Sequence, residues 1–146
     1  MKHMRDKSFL DSNIILYSYS KTELDKNRIA NALIFSLDEI LISTQVINEV
    51  TNILYKKFKL DAISIENVIL EIDNNFKIVN FSLTTQIKAI KIKEKYKLQY
   101  YDSLILATAL ENGCTILYSE DMQHEQMIEN QIKIINPFES CQDDQE

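Results

Sequence analysis

A chain of 146 residues has room for one domain with a proper hydrophobic core and too little for two. With 45% hydrophobic, 9% aromatic and 26% charged residues it lies in the globular range and away from the signature of disorder. The formal charge of -6 argues against nucleic-acid binding by bulk positive charge alone, and no apolar run approaches the ~20 residues of a bilayer span.

The first strand-length apolar run, Ser8 to Leu10, leads directly into Asp11, Ser12 and Asn13 and then into a helical hairpin that opens with Ile14, Leu16, Tyr17 and Tyr19. A second run, Ile40 to Ser43, precedes a helix over Thr44 to Lys59, where Val46, Ile47, Val50, Ile53, Leu54 and Phe58 recur at three- and four-residue spacing. Ile63 to Asn74 repeats that pattern. Lys77 to Phe81 reads as a strand, Thr84 to Tyr96 as a helix, and the stretch DSLILATALENG as a helix that is apolar almost all round and therefore buried, ending on Gly113 as its C-cap. The last strands are expected at Thr115 to Tyr118 and Lys133 to Ile135. Strands alternating with helices imply an α/β fold with a mostly parallel sheet of four to five strands covered on both faces. Residues 1–139 form the expected domain, and residues 140–146, SCQDDQE, a flexible acidic tail.

Punctuation is nearly absent, since Gly113 and Pro137 are the sole glycine and proline. One glycine cannot supply either of the common phosphate-cradling loops, so nucleotide binding by a Walker or dinucleotide fingerprint is excluded. Two cysteines far apart, Cys114 and Cys141, with no signal-peptide core, fit a reducing cytoplasm better than a disulfide framework.

In an open α/β sheet, ligands bind at the carboxyl ends of the strands. Asp11 follows the first strand there, and Asp121, with Glu120 beside it, follows the strand ending at Tyr118. Asp102 opens the buried helix on the face of Ile105, Leu106 and Ala109, while Glu49 flanks the apolar stripe of Val46, Val50 and Ile53. Taken singly, Asp11 and Asp102 read equally well as helix N-caps, Asp121 as a turn residue and Glu49 as a solvated helix charge. Taken together they are four carboxylates converging on one crevice, which repel one another unless a cation or proton compensates. Hard oxygen donors suit Mg²⁺ or Mn²⁺, and such an ion beside carboxylates is what phosphodiester hydrolysis needs.

The stretches FLDSNIILY, TQVINEV, YYDSLILATALENGC and LYSEDMQ, in that order, resemble the four acidic motifs of the PIN-domain nucleases, and especially the VapC-type toxins of bacterial toxin–antitoxin pairs. The resemblance implies a three-layer α/β/α domain and a cytoplasmic, metal-dependent endoribonuclease. Asp11, Glu49, Asp102 and Asp121 would be its catalytic, Mg²⁺- or Mn²⁺-binding acids, with Asn13, Ser119 and Glu120 supporting them. It further implies an RNA substrate, a homodimer, no membrane, and an antitoxin that lays its C-terminal segment into the active-site groove, with Ile14, Leu16, Tyr17 and Tyr19 as candidates for either protein contact. The chain departs from the pattern after Asp121. Where many relatives carry a further acid it has Gln123 and His124, which favours one firmly bound ion, with Glu120 a partial substitute.

Lys56, Lys57 and Lys59, and Lys88, Lys91, Lys93, Lys95 and Lys97, read either as solubilising helix faces or as a phosphate-contacting rim. Tyr96, Tyr100 and Tyr101 read as core, interface or base-stacking residues, and Gln99, Tyr100 and Tyr101 stand near the site in any case. His124 is more often incidental in a loop than a proton donor, and Cys114 reads as a core residue of a strand. Rival functions fit less well. Haloacid-dehalogenase-like phosphatases want an aspartate where Asn13 stands, and receiver domains want an acid pair after the first strand and a lysine after the last. A non-catalytic PIN-like binding module or a DNA-processing nuclease of similar architecture stays compatible with the residues.

Overall fold

The computed structural model describes residues 6–140. Its elements in chain order are β1 (Lys7–Leu10), α1 (Ser12–Ser18), α2 (Leu24–Ser36), β2 (Glu39–Ser43), α3 (Thr44–Lys56), α4 (Ala62–Asn75), β3 (Lys77–Val79), α5 (Leu83–Tyr96), α6 (Tyr100–Glu111), β4 (Ile116–Tyr118), β5 (Met127–Ile128) and β6 (Ile132–Ile135). Ser140 apart, the expected acidic tail lies outside the described residues, as does Cys141.

Six strands form one sheet in the order β3-β2-β1-β4-β6-β5, parallel except for the β5–β6 pair. The expectation of four to five strands misses β5, a two-residue edge strand too short to show a period. β1 lies between β2 and β4, and Ser8, Phe9 and Leu10 are all buried, as are Ile40 to Ser43 of β2. Burial on both faces is why these strands read as continuous apolar runs. Two groups of helices cover the sheet in a three-layer α/β/α arrangement, α1 against α2 and α3 with α4 beside α3, and α5 against α6.

Local chemistry sets the helix ends. Ser43, Asp61 and Ser82 cap α3, α4 and α5 by accepting backbone N–H groups of the first turn, and Ser82 with Thr85 completes a reciprocal capping box. That box starts α5 at Leu83, and β3 ends at Val79, two residues earlier than expected. α3 ends at Lys56, three residues earlier than its apolar pattern, and Lys59 turns the chain at φ 53°. α6 is buried from Ser103 to Leu110, and Gly113 at φ +74° ends it. There the Cys114 N–H bonds the Ala109 carbonyl at 3.0 Å and the Gly113 N–H bonds that of Leu110 at 3.1 Å, a Schellman closure. Cys114 is buried as expected, but in the connection before β4 rather than in the strand.

Candidate active site

Parallel β1 and β4 end side by side, so whatever follows them meets at one edge of the sheet. Asp11 follows β1 in extended conformation, caps α1 and is only 4% exposed. Its Oδ1 accepts the Ser12 N–H at 2.7 Å, and its Oδ2 accepts the Ser119 hydroxyl at 2.8 Å. Ser119, fully buried just after β4, in turn accepts the Asp121 N–H at 3.2 Å. Asn13 makes a second bridge between the same segments. Its Nδ2 donates to Asp121 Oδ2 at 3.1 Å and its Oδ1 accepts the Glu120 N–H at 3.3 Å, an orientation fixed by the opposite character of its two partners.

The other two acids arrive on helices. Glu49, half-buried one turn into α3, accepts from Gln45 Nε2 at 3.2 Å, and the same nitrogen donates to the Tyr101 carbonyl at 3.4 Å. Asp102 stands in the first turn of α6, whose N-cap is Gln99, so its helix-capping reading does not apply. Asp11 does cap its helix while also facing the other acids.

The four carboxylates feel one another's charge. Burial pushes the Asp11 carboxyl from 3.8 up to about 6, against the Ser119 and Ser12 hydrogen bonds, and the charges of Glu49 and Asp102 push the same way. The Asp102 carboxyl is raised by burial first, then by Asp121 and Glu49. Among the described residues, no three Asp, Glu, His or Cys side chains are grouped closely enough to hold an ion by themselves. A divalent ion held by one or two carboxylates and several waters fits this looser set, and Mg²⁺ binds in that manner. The donors are all hard oxygens.

Glu120 points elsewhere. Its Oε1 accepts the Tyr17 hydroxyl and its Oε2 pairs with Lys26 Nζ, each at 2.6 Å, with both charged side chains less than a fifth exposed. Lys26 also lies 4.8 Å from the centroid of the Tyr17 ring and 5.8 Å from that of Phe138. Only the Glu120 backbone, through Asn13, supports the acids. Neither Lys26 nor Gln45 stands out in the sequence. The signal available for Gln45 is its place one turn before Glu49, and for Lys26 there is none.

The remaining candidates separate. His124 Nδ1 accepts the Asn136 N–H at 2.9 Å and so braces the chain beyond β6. The Tyr96 hydroxyl accepts the Glu129 N–H at 2.8 Å, whereas Tyr101 is 67% exposed. Lys95 pairs with Glu129, and exposed Lys57 lines a cleft of about 940 Å³ that reaches Asn13, Glu120 and Asp121. Leu16, Tyr17 and Tyr19 line the same cleft, while Ile14 is wholly core.

Among solved structures, the chain is similar to a toxin–antitoxin complex from Klebsiella pneumoniae (22% identity, TM-score 0.70, covering 90% of this chain and 98% of that one). It is also similar to VapBC2 from Rickettsia felis, bound to a DNA fragment from its promoter (18%, 0.64, 89% and 99%). A third is VapC20 from Mycobacterium tuberculosis, described as a toxin that cleaves the sarcin–ricin loop (11%, 0.62, 75% and 86%). Comparison with curated proteins gave no significant match. The sequence profile described as PIN domain matches residues 8–129, the span that runs from β1 through all four acids to the edge strand, and the chain belongs to the PIN-domain family.

Proposed function

We propose that the protein is a divalent-metal-dependent endoribonuclease and the toxin of a toxin–antitoxin pair. The observation that carries the reading is the set of four mutually repelling carboxylates at the carboxyl edge of a parallel sheet, with Asp11 buried and held by two donors. Asp11, Asp102 and Asp121 would hold Mg²⁺ or Mn²⁺, and Glu49 would do so directly or through water. Bound there, the ion supplies an acidified attacking water and neutralises charge developing on the phosphate. Ser119 and Asn13 fix the carboxylates of Asp11 and Asp121 in place, and Gln45 orients that of Glu49. Hydrolysis in the manner of the family leaves 5′-phosphate and 3′-hydroxyl ends.

An RNA substrate is supported by the likeness to a toxin described as cleaving the sarcin–ricin loop, and an antitoxin partner by the toxin–antitoxin complexes among the similar structures. The cleft lined by Leu16, Tyr17, Tyr19 and Lys57 is the place for such a partner segment, and a homodimer completes the reading by family analogy. Among the described residues no helix is long and apolar enough to cross a membrane.

The test is cleavage of total RNA by the purified protein with Mg²⁺ or Mn²⁺, with EDTA, and with Asp11→Asn alongside. Discrete fragments that vanish with EDTA and in the variant support the reading. A folded protein, free of antitoxin, that cuts RNA under no condition would leave a binding module, and cleavage of DNA alone would leave a DNA-processing nuclease.

A further inference from the structure

The acidic centre lies between two depressions of different character. On the Asn13 and Asp121 side is the broad cleft just described, and on the Glu49 side is a smaller pocket of about 490 Å³. We propose that the smaller pocket takes the unpaired base of a nucleotide next to the scissile phosphate, with Tyr101 stacking on it and Asn48 facing its edge. This rests on the endoribonuclease reading and adds a specificity site to it.

Four observations carry the assignment. The pocket touches Glu49 and is built on residues adjacent to two of the acids, Tyr101 beside Asp102 in α6 and Asn48 beside Glu49 in α3. Its volume lies within the ~300–1,000 Å³ of small-ligand sites, enough for a base and too little for a protein helix. Tyr101 is 67% exposed although Tyr100 packs edge-on against it at 5.6 Å, so its ring is braced on one side and open on the other. Every base offers a π-face to such a ring, and stacking on exposed aromatics is how unpaired bases are commonly held.

The fourth observation is the Gln45 amide. Both partners of its nitrogen are acceptors, the Glu49 carboxylate and the Tyr101 carbonyl, so the amide cannot be reversed. Its oxygen is then left buried without a partner among the described residues. That oxygen is closed off from the pocket, so Gln45 serves as a wall and a tie rather than as a group that reads the base. The same amide ties the pocket wall to Glu49, so a base seated there registers the phosphate against the acids.

Tyr101→Phe and Tyr101→Ala are compared with wild type on a randomised single-stranded RNA pool with Mn²⁺, with cut ends sequenced and KM and kcat measured on one cleaved oligonucleotide. The expected result is a base preference at one fixed position beside the wild-type cut, kept by Tyr101→Phe and flattened by Tyr101→Ala. For Tyr101→Ala, KM rises about 5- to 150-fold, the equivalent of ~1–3 kcal/mol of lost stacking, while kcat changes little. Unchanged preference and KM in Tyr101→Ala overturn the inference. So does a change of elution volume in that variant, which assigns the pocket to a second copy of the chain. Anisotropy of a labelled eight-nucleotide RNA without divalent ion separates the two readings. If the wild type binds this RNA but does not cut the pool with Mn²⁺, the nuclease reading fails, while weaker binding by Tyr101→Ala still supports the base pocket and equal binding refutes it.

Discussion

Replacing Asp11 with asparagine removes the charge that the metal-free site disfavours most, and it therefore stabilises the protein it inactivates. Moving a carboxyl from 3.8 to about 6 corresponds to ~3 kcal/mol of disfavoured ionisation. Asparagine caps helices as well as aspartate, so the Ser12 N–H keeps an acceptor; sharing of the Ser119 hydroxyl offsets part of the gain and leaves ~2 kcal/mol. For a domain of this size that is about 4–8 °C in Tm, readable by thermal or urea unfolding in EDTA at pH 7.5. The folded pKa is raised, so between pH 3.8 and about 6 the native state holds a proton that the unfolded state has lost, and wild-type stability falls as pH rises through that window. The advantage of Asp11→Asn is accordingly absent near pH 4, grows to about pH 6 and is level above it. Saturating Mn²⁺ reverses the ranking, because only the wild type gains from binding, by ~2.7 kcal/mol at a hundredfold excess over Kd. A variant less stable than wild type in EDTA at pH 7.5, or a difference that does not change between pH 4 and 7, would refute the electrostatic account.

Lys26→Met leaves the Glu120 carboxylate in a pocket with little water, and a loss of about 2–3 kcal/mol is expected on urea unfolding, below the ~3–5 kcal/mol of a fully buried pair. Adding Glu120→Gln restores most of it, and additive losses in the double variant would show that the two do not act as a pair. Gly113→Ala costs about 1–2 kcal/mol from the left-handed backbone alone, since an added Cβ meets nothing nearer than Lys7 Nζ at 4.0 Å. A neutral outcome there removes the Schellman closure from the account of α6. Burial pushes the Cys114 thiol up to about 12, so in a Cys141→Ser background a thiol reagent at pH 8 reacts only at the rate of unfolding.

Much of this architecture was legible because a parallel sheet covered on both faces needs strands that are apolar throughout, and Phe9 and Leu10 or Ile40 to Ile42 announce themselves that way. β5 was not, because two residues carry no period, and β3 stops at Val79 because its partner β2 ends at Ser43, which the apolar character of Phe81 does not reveal. Gly113 marked the end of α6 correctly, but its N-cap, Gln99, makes no side-chain capping bond, which left Asp102 looking like the cap. The expectation that four acids meet followed from strand ends and helix phase. The Lys26–Glu120 pair beside them did not, since its members are 94 residues apart and local pattern says nothing about a pair that only tertiary packing makes.

The place of β1 in the sheet also sets when the site comes into being. β1 leads into Asp11 and pairs with β4 on one side, and β4 in turn pairs with β6. At ~5–20 residues per second, roughly 6–25 s of synthesis separate Asp11 from the end of β6. For most of that interval Asp102 and Asp121 do not yet exist as part of a fold. The edge of the sheet that carries Asp11 is therefore complete only after β6 has been made.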